Sequence, residues 1–351
     1  MLYSDEQEES FAFFDELDSI LNQDLPSSDI NNALDAYFST LERNLDSVNR
    51  TDALATICCA LVESALFERN KKIAVEYIID EAFTSTRNVN ILYTVLYFAG
   101  EMYSFSLDMM LERGMIFKLT QDLLIKVPGD GNLFSIMLLL CELCQFHRLP
   151  NSDLKLLNET LIHKLLDIVE ETQCGDESVN YTGIQLILTI NSQFTDLHQE
   201  NGNTVIKVLS NRFETSKSFG ENLLFMMNRG AKPDIQLLIL KLLYALFTNN
   251  TTYDYFYTND LRVLVDVIIR ELYNLSDEDG ELRRAYLEVL PPLVCNTQYP
   301  EILHKAQQIV CLLEELTTEQ AHRNTTREVQ LIVAKVRSEC APVLIAGFKT
   351  D

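Results

Sequence analysis

The sequence predicts an all-α protein, an armadillo- or HEAT-like helical solenoid, on three observations. Apolar residues recur at spacings of three and four along the whole of its 351 residues, while strand-like alternation is almost absent. Gly and Pro number only 11 and 8, few for a turn-rich β protein. Short polar breaks, rather than long low-complexity segments, separate helices of roughly 12–20 residues that group loosely at a spacing of about 40. No tetratricopeptide or ankyrin signature is present. With 47% hydrophobic residues the chain has ample material for a core. Residues 31–351 are expected to form one armadillo-like domain, preceded by an acidic amphipathic segment at 1–30.

Residues 1–30 hold nine acids and no Lys or Arg, and the first base is Arg43. Phe11, Phe13, Phe14, Leu17, Ile20 and Leu21 make an apolar stripe on a short helix ended by Pro26. Two readings stand: a helix that covers an open end of the stack, and an acidic-aromatic arm that docks on a partner. Ser28 or Asp29 opens a helix through Val48, and Thr51 or Asp52 another through Phe67. Helices over Lys71–Phe83, Asn88–Met102, Leu107–Arg113 and Met115–Val127 follow. The Pro128–Gly131 break precedes the very apolar run NLFSIMLLLCELCQF, and Asp153 begins a helix to Glu171. Thr172–Asn180 and Ser192–Asn203 are the most hydrophilic gaps. Thr204–Phe213, Glu221–Asn228 and Ile235–Phe247 are helical, as is Glu301–Leu316, and Thr325 with Glu328 forms a capping box for a helix to Cys340.

The block from Tyr253 to Tyr299 organises the rest. Thr258 and Asn259 offer N-cap oxygens to its first helix, and Asp260 sets an acid at the positive end of the dipole. Leu261, Leu264, Val265, Ile268, Leu272 and Leu275 share one face. Arg262, Asp266 and Arg270, four apart, make a charged stripe on another, each i,i+4 pair worth about 0.2–0.5 kcal/mol. The next helix starts at Ser276, with Asp279 three residues on closing a capping arrangement. Its Leu282, Ala285, Tyr286 and Val289 face the core, Arg283 and Arg284 point elsewhere, and Pro291 and Pro292 end or bend it. A solvated helix face explains the charged residues. They also qualify as a docking patch, because Arg is over-represented at binding hot spots. Tyr253, Tyr255, Phe256 and Tyr257 form an aromatic cluster of core staples with one candidate anchor.

Composition narrows the function classes. A net charge of −24 argues against nucleic acid or an anionic membrane as the main partner. No apolar run reaches the roughly 20 residues of a membrane span, and the acidic N-terminus is no signal peptide. Cys58, Cys59, Cys141, Cys144, Cys295 and Cys311 sit in apolar helical runs, as buried thiols in a reducing compartment do. Cys141 and Cys144 have metal spacing but no second pair. There is no phosphate-cradling Gly loop, no Gly-x-Ser-x-Gly, no His-Glu-x-x-His, and the five histidines stand far apart. The expectation is a non-enzyme, with no cofactor, no metal and no small-molecule substrate.

The runs FYTNDLRVLVDVIIREL and ELRRAYLEVLPPLVCNTQY resemble the leucine-rich domain of the WISH/DIP/SPIN family, whose fungal members include the Dip- and Ldb-type cortical actin-patch proteins. The likeness is close over about residues 245–300 and extends by helix order over roughly 50–345. It implies an armadillo-like domain that binds and activates the Arp two/three complex, with actin engaged indirectly. Unbranched filaments would then start without a preformed filament, in the cytoplasm at cortical, endocytic actin patches. On that resemblance the partner-binding residues are Arg262, Asp266, Arg270, Arg283 and Arg284. The sequence has no Trp, and its last residues, AGFKTD, carry no acidic run, so such an activator would work through a folded surface. An armadillo-type scaffold or transport adaptor that binds linear peptides is the alternative.

Overall fold

The computed structural model describes residues 2–22, 29–45, 51–84, 87–195, 202–212, 215–276, 278–316 and 327–347. Among these residues every regular element is helical. Packing divides the chain into two compact units, Met1–Leu156 and Leu157–Asp351.

The first unit holds α1 (Leu2–Leu21), α2 (Ile30–Arg43), α3 (Thr51–Glu63), α4 (Ala65–Thr84), α5 (Val89–Met102), α6 (Ser104–Glu112), α7 (Met115–Ile125), α8 (Leu133–Phe146) and the single turn α9 (Asn151–Leu154). Helix α5 lies at its centre, packed on α3, α4, α6 and α8. Its Leu92, Val95, Leu96 and Ala99 are fully buried. The acidic stripe helix α1 is docked on α2, with Phe13, Leu17 and Ile20 buried and Phe14 exposed. Glu16 accepts from Thr40 Oγ1 at 2.9 Å and from Arg43 at 2.8 Å. Arg87 ties three elements together: its guanidinium donates to Asp35 and Glu42 of α2 and to Glu81 of α4. Glu42 also accepts from the Asn88 amide that opens α5, at 2.9 Å.

Helix breaks fall where side chains take over backbone partners. The stretch from Thr51 is interrupted at Ser64, earlier than the periodicity indicates. Ser64 Oγ donates to the Leu61 carbonyl at 2.6 Å and accepts the Phe67 amide at 3.2 Å. A second distortion follows inside α4 at Asn70, with φ −119° and ψ 15°. The helix expected from Asp153 to Glu171 is split by Leu157, which is buried, and by Asn158, whose Oδ1 caps the next helix through the Leu161 amide at 3.1 Å.

The second unit contains α10 (Glu159–Thr172), α11 (Glu177–Thr195), α12 (Thr204–Asn211), α13 (Lys217–Asn228), α14 (Pro233–Thr248), α15 (Thr258–Asn274), α16 (Gly280–Asn296), the turn α17 (Tyr299–Ile302), α18 (Ala306–Glu315) and α19 (Arg327–Gly347). It is a two-layer stack. Helices α11, α14, α16 and α19 pack side by side in one row, while α10, α13, α15 and α18 follow one another in the second. Each helix thus buries its apolar stripe between a neighbour in its own row and one across the layers, the arrangement of armadillo- and HEAT-like stacks.

Several sequence expectations need correction in this unit. The gap at Thr172–Asn180 shrinks to a short turn, because Asp176 Oδ1 caps α11 by accepting the Ser178 and Val179 amides, each at 3.1 Å. Helix α16 begins at Gly280 instead of Ser276, and Pro291 and Pro292 do not end it, since it runs on to Asn296. The predicted helix Glu301–Leu316 is two pieces, interrupted by Leu303 and Lys305 at φ 44° and 53°. The last helix passes Cys340 and reaches Gly347, while the Thr325 of its expected capping box lies outside the described residues. Of the cysteines, Cys58, Cys141, Cys144 and Cys340 are buried thiols, but Cys295 and Cys311, expected inside, are exposed.

The row is pinned by one buried polar chain. Tyr286 of α16 donates its hydroxyl to Gln236 Oε1 at 2.7 Å, and Gln236 Nε2 donates to the Ala231 carbonyl at 2.7 Å. Tyr286 has no exposed surface. Tyr286→Phe removes the hydroxyl offered to that Gln236 oxygen and leaves the acceptor buried. The expected cost is about 1–3 kcal/mol, read as a lower urea midpoint for the second unit with unchanged helix content.

Candidate functional site

The charged block occupies α15 and α16. Helix α15 begins at Thr258, one residue earlier than a Thr258 or Asn259 cap requires, and Asp260 accepts the Tyr257 amide at 3.1 Å. Leu261, Leu264, Val265, Ile268 and Leu272 are buried as the periodicity demands. The stripe on the other face is not a ladder of i,i+4 pairs. Asp266 Oδ1 accepts instead from His304 Nε2 at 2.7 Å and Lys305 Nζ at 3.0 Å, across the turn before α18. Arg270 donates to Asn228 Oδ1 at 3.0 Å, to the Met227 carbonyl at 3.3 Å and to Glu271 at 2.9 Å, closing the C-terminus of α13. Arg262 is exposed.

Arg283 and Arg284, adjacent in sequence, part company. Arg283 is only 6% exposed, and its Nη2 donates to the Leu275 and Ser276 carbonyls at 2.8 and 3.2 Å, tying α16 to the end of α15. Such a residue is mortar, and no partner can reach it. Arg284 is exposed and donates Nε to Glu288 Oε1 at 2.9 Å. Of the five residues singled out by sequence, Arg262 and Arg284 are therefore the exposed ones, on different helices. Asp266 and Arg270 are half-buried in structural pairs.

The Asn-Thr-Gln-Tyr segment also has a structural explanation. Asn296 Nδ2 donates to the Phe247 carbonyl at 2.9 Å, Thr297 Oγ1 accepts the Tyr299 amide at 3.1 Å, and the buried Tyr299 hydroxyl donates to the His304 carbonyl at 2.9 Å. These bonds hold Leu303 and Lys305 in a left-handed conformation that side chains resist. In the aromatic cluster, Tyr255 and Phe256 are core, with Tyr255 donating to the Ser216 carbonyl at 2.7 Å. Tyr253 and Tyr257 are exposed.

A second surface was not singled out by sequence. The row α11, α14, α16, α19 leaves a groove in two lobes that share Tyr244 and Thr248 of α14. One lobe, about 630 Å³, is walled by Phe194, Ile206 and Lys207. The other, about 530 Å³, is walled by Glu288 and Pro291 of α16 and by Ile332, Lys335 and Glu339 of α19. Tyr244 is 47% exposed. On α16, Arg284, Glu288, Pro291 and Cys295 fall four, three and four residues apart. Arg284 therefore belongs to the stripe that forms the groove wall, one turn beyond Glu288. Periodicity predicts a helix over Ile235–Phe247 and marks no open face on it. The available signal was the polar strip Lys241, Tyr244 and Thr248 within it, at spacings of three and four.

The groove lacks the convergent polar groups of a catalytic pocket: its lining offers two Lys, two Glu and no His. Among the described residues no cluster of His, Cys, Asp or Glu is disposed to hold a metal ion. No described helix is long and apolar enough to cross a membrane.

Residues 176–309 match the family model described as the SPIN90/Ldb17 leucine-rich domain. That segment lies within the second unit and bears out the resemblance carried by the Tyr253–Tyr299 block. Protein dip1 of Schizosaccharomyces pombe is 38% identical over 170 residues, which span 46% of this chain and 45% of that protein. Protein LDB17 of Saccharomyces cerevisiae is 32% identical over 188 residues, 52% of this chain and 38% of the relative. LDB17 of Eremothecium gossypii is 28% identical over 182 residues. The matches thus span less than half the length of each relative. Among solved structures, an engineered protein of the Northeast Structural Genomics Consortium superposes with a TM-score of 0.46 at 13% identity, covering 93% of this chain and 72% of that one, too loose a likeness to carry an argument.

The Asp266 pair makes a pH prediction. Burial raises its carboxyl pKa, but the bonds from Lys305 and His304 outweigh burial and hold it below the ordinary aspartate range. A depressed folded-state pKa contributes stability above the unfolded value and loses it as pH falls through the folded one. Asp266→Asn is therefore expected to be less stable than the parent near pH 6. The gap should narrow steadily below about pH 4, as followed by denaturant titration at each pH.

Proposed function

We propose, from the match of residues 176–309 to the SPIN90/Ldb17 leucine-rich domain, that the chain is a non-enzymatic activator of the Arp two/three complex. It would seed unbranched actin filaments without a preformed filament, at cortical and endocytic actin patches in the cytoplasm. The observation that carries the docking part of this reading is the groove along α11, α14, α16 and α19, with its half-exposed Tyr244. Most of it lies within the matched segment. An exposed aromatic in a concave surface, bordered by an arginine, has the composition of a protein-binding hot spot.

Activation sets an energetic requirement. A ligand shifts a two-state assembly only through its differential affinity for the two states. Moving an equilibrium from 1:99 to 99:1 takes about 5.5 kcal/mol of difference. An interface of ordinary size buries about 800 Å² per partner, and a row of four helices has room for that. No covalent step is required of the chain, in keeping with a groove that lacks an acid–base pair. Arg284 is assigned to the groove rim. Arg262, on α15 of the other layer, is assigned to a separate edge of the contact. Asp266, Arg270 and Arg283 support the surface from within.

A scaffold or transport adaptor that binds linear peptides is the second reading, favoured by the same groove. The two differ in whether a folded complex or a short peptide occupies it.

Binding of fluorescently tagged Arp two/three complex to Tyr244→Ala and Arg284→Glu variants tests the docking assignment. Each is expected to weaken binding by about tenfold or more with helix content unchanged, in line with the roughly 2 kcal/mol loss of a hot-spot side chain. If both bind as tightly as the parent while Arg262→Glu does not, the site moves to α15 and the groove assignment is wrong.

A further inference from the structure

The turn between α15 and α16 is locked by the hydroxyl of one serine. Helix α15 ends at Asn274 and α16 starts at Gly280, so Leu275–Asp279 form the connection. Ser276 is exposed there. Its amide and its Oγ both donate to Asp279 Oδ2, at 3.0 and 2.7 Å. Its carbonyl accepts the Asp279 amide at 3.1 Å and the Arg283 guanidinium at 3.2 Å.

The Asp279 carboxylate is unusual for its position. It precedes α16, where an acid ordinarily caps the first amides, yet it makes no such bond. It is committed to Ser276 instead. The Ser276 hydroxyl, then the Ser276 amide, and then the charge of Arg283 hold its pKa down. Arg283 is itself a buried cation that donates to the Leu275 and Ser276 carbonyls, and its charge acts on the Asp279 carboxylate.

The sequence around the hydroxyl reads Ser276-Asp277-Glu278-Asp279-Gly280-Glu281, with an acid at each of the three positions after the serine and at the fifth. Glu278 and Glu281 are exposed. Kinases distinguish substrates by charge patterns flanking the acceptor, and a run of acids on the C-terminal side suits one whose substrate channel is basic. We propose that Ser276 is a phosphorylation site for an acid-directed serine/threonine kinase, and that its modification unlocks the α15–α16 turn.

The transfer balances in the ordinary way. Ser276 Oγ forms a bond to the γ-phosphorus of magnesium ATP, the bond from that phosphorus to the β,γ-bridging oxygen breaks, and ADP leaves. The hydroxyl proton passes to the kinase's base. The Oγ–H that donated to Asp279 no longer exists. In its place stands a group of about −1.5 to −2 charge at pH 7, against the same carboxylate. Like-charge repulsion drives Asp279 outward, which leaves Arg283 facing the phosphoryl group rather than its carboxylate and carbonyls. The first turn of α16 loses its anchor. Arg284 stands in that turn and Glu288 one turn further, so the modification reaches the groove rim; only this last consequence rests on the docking reading.

The test uses the full chain, magnesium ATP and a purified kinase of the casein kinase two type. Fragment mass spectrometry is expected to place a phosphoryl group on Ser276 and to find none there in Ser276→Ala. Hydrogen exchange at the amides of 278–284 should then run roughly five- to tenfold faster than in the unmodified chain, the factor that accompanies loss of one intramolecular hydrogen bond. Asp279→Asn, which removes the anion without a kinase, should show the same acceleration. The proposal fails if a free peptide of residues 271–285 is phosphorylated while the folded chain is not. It also fails if the phosphorylated chain exchanges at the parent rate. Neither readout involves the Arp two/three complex, so the result stands apart from the groove assignment.

Discussion

The constraint on which the second unit depends is that no helix in a stacked layer can satisfy its own apolar surface. Helix α14 shows it best. Ile239, Leu242, Leu243, Leu246 and Phe247 are fully buried, pressed between α11 and α16. Covered on both flanks, the helix retains one open strip, Lys241, Tyr244 and Thr248, and Tyr244 and Thr248 of that strip line the groove. Burial and binding surface follow from the same geometry. Anything that fills the row also defines what stays uncovered. The double proline of α16 fits this arrangement. Neither ring has an amide to donate, yet the helix is held by packing on α14 and α19 and runs through the interruption. Tertiary burial outweighs the local cost.

Much of this was legible in the residues. The apolar spacing of three and four gave helices across the chain. Leu261, Leu264, Val265, Ile268 and Leu272 of α15 are buried as it requires, whereas Leu275, expected on the same face, is half-buried just past the helix end. What periodicity could not reveal was where breaks fall when a side chain supplies the missing partner, as Ser64 and Asp176 do. Nor could it separate Arg283 from Arg284. Both lie off the main apolar stripe, but a buried guanidinium is stable where carbonyls of the preceding helix end converge on it. Such convergence is a property of the turn, not of the helix pattern. The exposed Cys295 and Cys311 escaped for the opposite reason: an apolar run in sequence includes its outward-facing positions.

The arginines of a chain with net charge −24 invite a docking role, and the structure divides that role. Arg270 and Arg283 close helix ends, Arg87 joins three helices of the first unit, and Asp266 is paired to His304 and Lys305. Cations in this protein are used first to satisfy carbonyls and surplus carboxylates inside each unit. Arg262 and Arg284 are the ones of the block that are exposed, and Arg284 stands one turn beyond Glu288 of the groove wall. The family segment thus combines a structural motif, the Asn296–Tyr299 bonds that hold a strained turn, with a surface available to a partner.

The proposed activity is tested most directly by watching single actin filaments assemble from purified monomers with this protein and the Arp two/three complex, in the absence of preformed filaments. Unbranched filaments whose number rises with the protein and which require both components are the expected result. Assembly indistinguishable from the complex alone, over a wide range of protein concentration, would contradict the activator reading and leave the groove to a linear peptide.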